Sequence, residues 1–151
     1  DDILGFKKIK EAHPDVKLAT GEMIQNKVMF KQFIENKSLD YCQIDSCRIA
    51  SLNEIIPVLL MASKFNTPVI PHAGGIGLCE YVQHLNLINK FIITNNDLSL
   101  SEYAESCSEH FENPAIIKNG GYVTPTSPGY SVKIKETSLE EFDFNNGKYW
   151  N

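Results

Sequence analysis

The sequence predicts an α/β fold built on a parallel sheet. Helix-like and strand-like periods alternate through the first two-thirds of the chain. The strand stretches are short and nearly all apolar, as strands buried on both faces are. Strands separated by helices must run parallel, because each crossover returns the chain to the same edge direction.

Each element has its own signal. Ile3, Phe6 and Ile9 mark an opening amphipathic helix. Val16 to Thr20 is a strand that ends at Gly21-Glu22. Met29, Phe30, Phe33 and Ile34 mark one face of the next helix. Leu39 to Ile44 is a second strand, ending at Asp45. Ser51-Leu52-Asn53-Glu54 resembles a capping box. It opens a helix carrying Ile55, Ile56, Val58, Leu59, Leu60 and Phe65, with Pro57 limiting where that helix can start. Pro68 to Pro71 is a third strand, ending at His72. Leu78, Tyr81, Val82, Leu85 and Ile88 give a third such helix at spacings of three and four. Phe91 to Thr94 reads as a fourth strand, and Leu100, Tyr103, Ala104, Cys107 and Phe111 as another helix. The stretch 118–130, rich in Gly, Pro, Thr and Ser, reads as a loop, and Ser131 to Ile134 as a short strand. Phe142, Phe144, Tyr149 and Trp150 would anchor the polar terminus on the protein surface.

Composition narrows the function. The chain has 151 residues, enough for a real core, and a formal net charge of -5. That charge argues against a nucleic-acid partner. No apolar run approaches the ~20 residues of a membrane helix, so no membrane partner is expected. The start, DDILGFKKIK, has no signal-peptide pattern. Cys42, Cys47, Cys79 and Cys107 form no CxxC pair, and no histidine pair has zinc-finger spacing. Buried free thiols in a reducing compartment are the expectation, with Cys42 and Cys47 a weakly signalled redox pair.

Glu22, Asp45 and His72 each follow directly after a strand. In a parallel βα sheet or barrel all strand C-termini lie on one face, where active sites are built. Singly, each residue has a plain structural use: a solvated turn glutamate, a capping aspartate, a loop histidine. Together they favour chemistry. A carboxylate suits Mg²⁺, and a histidine beside a carboxylate is an oriented acid or base.

The stretches ATGEMIQNKVMFKQ, LDYCQIDSCR, PVIPHAGGIGLCEYVQHL, SEHFENP, PTSPGYS and the closing NNGKYW carry a wider likeness. In them the chain resembles the enolase superfamily, mandelate racemase subgroup, and most closely its L-fuconate dehydratases. The resemblance implies the C-terminal half of a (β/α) TIM-type barrel over residues 1–117, and a tail over 118–151 that packs toward a capping domain. It implies that Glu22 is the last of three Mg²⁺ carboxylate ligands, and that Asp45 and His72 form a dyad. Glu102 is the best match to the glutamate that hydrogen-bonds the substrate carboxylate. The implied reaction is Mg²⁺-dependent dehydration of a sugar acid. The α-proton is removed, an enediolate forms, and His72 gives a proton to the departing β-hydroxyl.

Nothing in the chain matches the family's lysine or its first two metal ligands. The expectation is therefore the C-terminal part of a longer polypeptide, or a half completed by a second chain, with homo-oligomers left open. The competing readings are a truncated, non-catalytic homologue or interaction module, and a flavodoxin-like open sheet. The latter would need a phosphate-binding glycine turn where Thr20-Gly21-Glu22 stands.

Overall fold

The computed structural model describes residues 2–94, 99–104 and 106–150. Helix α1 (Ile3–Ala12) opens the chain; Asp2 caps it, accepting from the Gly5 N–H at 2.9 Å. Strand β1 (Ala19–Thr20) follows, then α2 (Lys27–Glu35), β2 (Tyr41–Cys42) and α3 (Leu52–Lys64). β1 and β2 pair in parallel, Ala19 opposite Tyr41 and Thr20 opposite Cys42. The third expected strand is a single parallel bridge, Cys42 to Val69. It is nonetheless extended along β2. Cys42 N–H donates to Pro68 O, Ile70 N–H to Cys42 O and His72 N–H to Ile44 O, at 2.8, 2.9 and 2.9 Å.

The core lies between this ladder and its helices. Phe30, Phe33 and Ile34 of α2, Ile55, Val58, Leu59 and Ala62 of α3, and Cys42, Ile44 and Val69 form one buried cluster. Ile3 and Phe6 of α1 pack against it, Phe6 edge-on to Phe33 at 5.8 Å. Ile9 is half exposed. The expected capping box does not form: Ser51 makes no side-chain cap bond. Glu54 instead accepts from the backbone and Nζ of Lys27 at the start of α2. Pro57 lies inside α3.

Helix α4 (Leu78–Ile88) matches its pattern and starts at Gly77, whose φ is +77°. A Cβ there would meet the Phe111 ring at 3.1 Å. Leu78, Cys79 and Val82 form a smaller cluster with Ala73.

Two expectations fail downstream. The stretch read as a fourth strand continues α4 as a π-helical turn, Asn89–Thr94, closed by Thr94 Oγ1 donating to Asn89 O at 2.9 Å. A strand earns its hydrogen bonds only from neighbours, whereas a helical turn supplies its own, and β propensity yields to that context. Among the described residues of 100–111 there is no α-helix; Ser108–His110 is a 3₁₀ turn. Ser101, Ser106 and Ser108 fall in this stretch, and such hydroxyls compete with the helix for its backbone groups.

The tail is more ordered than a loop. Strands β3 (Ile117–Lys118) and β4 (Gly121–Tyr122) make an antiparallel hairpin around Asn119-Gly120, both at positive φ. Ile134 makes one antiparallel bridge to Phe111, and α5 (Glu136–Phe142) follows, which the sequence pattern did not signal. The terminal aromatics pack mainly on one another: Tyr149 and Trp150 meet edge-on at 4.9 Å, and Phe144 stays 80% exposed. Phe142 alone reaches back, to the His110 ring at 5.2 Å. All four cysteines are free. Burial raises the Cys42 thiol far above its ordinary pKa, so it is an inert core side chain. Among the described residues no helix is long and apolar enough to cross a membrane.

Candidate active site

The C-terminal ends of the ladder place the predicted residues together. After β1 the chain turns at Gly21, with φ +144°. A Cβ there would lie 2.5 Å from Gln43 O and 2.9 Å from the Phe30 ring, so only glycine lets the turn press against β2. Glu22 then projects from the turn, its side chain half exposed. Asp45, just beyond β2, is buried. Its Oδ1 accepts from Cys47 N–H at 2.6 Å, a local turn that fixes the carboxylate. That leaves Oδ2 facing His72.

His72 is the hub. Its Nδ1 lies 3.3 Å from Asp45 Oδ2. The contact is within ion-pair range but off-line, so Nδ1 has no well-aligned hydrogen bond. Nε2 lies 3.1 Å from Glu22 Oε2 and 3.9 Å from Glu102 Oε2. Glu102 Oε2 also accepts from the Ala73 N–H at 2.6 Å. Three carboxylates therefore face one imidazole, a cluster with more formal negative than positive charge. It would attract a cation or a hydrogen-bond donor.

Sequence reasoning missed several supports. Gly74 leaves room beside the imidazole: a Cβ there would sit 2.7 Å from His72 Nε2. The glycines after His72 were the visible signal, but only the fold shows which atom they clear. Ala73 N–H gave no signal at all, since any residue but proline supplies one.

A divalent cation such as Mg²⁺ needs several oxygen ligands. Glu22 is the right donor type and points into the open face. Among the described residues, however, no three His, Cys, Asp or Glu side chains are grouped to hold a metal.

Comparison with known proteins extends this picture. The family described as enolase C-terminal domain-like matches residues 1–138. Mitochondrial enolase superfamily member 1 of Xenopus laevis is 50% identical over 99% of the chain, and L-galactonate dehydratase of Hypocrea jecorina 47% over 95%. The crystal structure of human mitochondrial enolase superfamily member 1 superposes with a TM-score of 0.93 at 44% identity over 99% of the chain. The chain spans 34%, 32% and 35% of these proteins, about a third of each. Their barrel fold is the setting for the strand-end cluster. The match covers residues 1–138, most of the chain: this chain belongs to the enolase C-terminal domain-like family.

Proposed function

We propose that this chain supplies the acid side of a sugar-acid dehydratase site, completed by groups outside it. The observation that carries this reading is His72 held between Asp45 on Nδ1 and the open face on Nε2. Asp45 is buried and anchored by Cys47 N–H, with Oδ2 3.3 Å from Nδ1, where it would orient the ring for proton transfer. The Nε2 proton would pass to the β-hydroxyl of the substrate, which leaves as water as the bond to carbon breaks. The enol left after loss of the α-proton then becomes a 2-keto-3-deoxy acid. The group that takes the α-proton lies outside these residues. Glu22 is a candidate ligand for Mg²⁺, whose part would be to neutralise the substrate carboxylate and the developing enediolate. Glu102 is a candidate support for that carboxylate, since it sits beside His72 on the Ala73 amide.

The substrate class rests on relatives: one is named L-galactonate dehydratase, and a neighbour with 28% identity L-rhamnonate dehydratase. L-Fuconate is the first substrate to try, with L-galactonate and L-rhamnonate beside it. The test mixes the chain with the preceding two-thirds of the Xenopus relative, confirms co-elution, and assays formation of 2-keto-3-deoxy acid with Mg²⁺. His72→Asn is expected to lower kcat by at least about 100-fold, the scale of one general acid. Co-elution without turnover on any of the three acids overturns the reading.

One observation favours a second reading, a non-catalytic homologue: the described residues group no three metal-ligating side chains. Mg²⁺ titration of the co-eluting complex separates the two. Saturable binding that Glu22→Gln abolishes supports the enzyme; no binding supports the interaction module.

A further inference from the structure

Residues 101–104 carry Glu102 yet belong to no helix or strand. Side chains from two other elements hold them. Asn86 of α4 donates to Ser101 Oγ at 2.7 Å. Cys79 of α4, buried, donates from Sγ to Ala104 O at 3.2 Å and receives the Ala104 N–H at 3.4 Å. Tyr122 of β4 donates its hydroxyl to the Glu102 carbonyl at 2.7 Å. Its ring packs edge-on against Tyr103, centroids 5.9 Å apart.

From this geometry we infer that Tyr122 is a positioning residue for Glu102, so that the tail hairpin sets where a carboxylate stands beside His72. Tyr122 is well suited to it. A tyrosine ring has few rotamers, and here Tyr103 fixes it on one face, so its hydroxyl marks a point in space. Burial, with the nearby Cys79 thiol adding to it, raises that hydroxyl above the ordinary phenol range, which keeps it a donor. The bond it makes pins the Glu102 backbone. The other end of the same residue makes the short, charge-assisted bond to Ala73 N–H. A shift of the backbone by an ångström would lengthen that second bond past hydrogen-bond range. β4 thus reaches the site through one carbonyl, although no residue of the hairpin touches His72 in the contacts described.

The inference deepens the proposed function, resting on Glu102 as the carboxylate that supports substrate. Its test needs no turnover. In the ¹⁵N-labelled chain the Ala73 amide proton is a direct reporter of the Glu102 carboxylate. Glu102→Gln is expected to move it upfield by several tenths of a ppm. Tyr122→Phe keeps the ring and removes only the hydroxyl; it is expected to move Ala73 in the same direction by at least half as much, with core amides such as Val58 and Leu85 unmoved. Cys79→Ala, which loosens the same segment from α4, reads the same shift should Tyr122→Phe fail to fold. Ala73 moving in E102Q but staying put in Y122F overturns the role of Tyr122 and leaves the placement of Glu102 intact. Ala73 unmoved in E102Q overturns that placement and the inference with it. A merely structural tyrosine would lower the melting temperature without moving Ala73.

Discussion

At the residue scale, single atoms decide whether the strand-end cluster can exist. Gly21 shows this most sharply, because both its φ of +144° and the 2.5 Å approach to Gln43 O exclude a side chain. Gly21→Ala is expected to cost at least about 2 kcal/mol in urea unfolding, the scale of backbone strain plus a steric clash. A loss within about 0.5 kcal/mol, the range of a neutral surface change, would contradict this account. His84 gives a second residue-scale expectation. Its Nε2 lies 3.1 Å from Ser131 Oγ and its ring 6.4 Å from Tyr130. Burial lowers its pKa below the ordinary 6.5, outweighing the backbone bond at Tyr130 that raises it. The native chain therefore binds fewer protons there than the unfolded chain. This contribution to stability is full above pH 6.5 and lost as pH falls from 6.5 through the lower folded value. Thermal melts from pH 7.5 to 5 should show a slope that His84→Gln reduces. An unchanged slope counts against burial of the neutral imidazole.

At the scale of elements, caps and neighbours outrank propensity. α2 begins at Asn26, whose side chain accepts from Met29 N–H at 3.0 Å, whereas Ser51 before α3 makes no such bond. Asn26→Ala is expected to destabilise by about 1 kcal/mol and Ser51→Ala by a few tenths at most. Chemical denaturation of the pair checks the contrast, and equal losses would show that Ser51 caps α3 after all. The capping-box motif was legible in sequence, but Glu54 found a stronger partner in Lys27, which lies far away along the chain. That ion pair also lowers the Glu54 carboxyl below its usual range, the Lys27 side-chain bond first. The same competition explains residues 91–94. Ile92, Ile93 and Thr94 read as strand, yet α4 winds on through them, leaving Phe91 and Ile92 64% and 76% exposed.

At the scale of the whole molecule, the ladder of β1, β2 and residues 68–72 has two outer edges that no described strand pairs. Open edges, together with Phe144, Tyr149 and Trp150 on the surface, favour association. Sedimentation velocity should show species above the 17.0 kDa monomer that grow with concentration. A strictly monomeric chain would mean that these edges are covered in a way the described residues do not show.

Much of this was legible beforehand. α1, α2 and α4 followed from periodicity, because one apolar face must be buried whatever it packs against. Glu22, Asp45 and His72 followed from their common place after strands, because parallel strands end on one face. Glu102 came from resemblance alone, and its contacts depend on Ala73 and Tyr122, which the sequence could not bring near it. Local hydrogen bonding and hydrophobic period belong to short stretches, so the sequence by itself determined α1 to α4, the strand-end cluster and the family. Which carboxylate faces which imidazole nitrogen, which glycine clears the ring, and whether a strand finds a partner are long-range distances. Only the tertiary structure decided those, because they exist only once residues far apart along the chain share one packed volume.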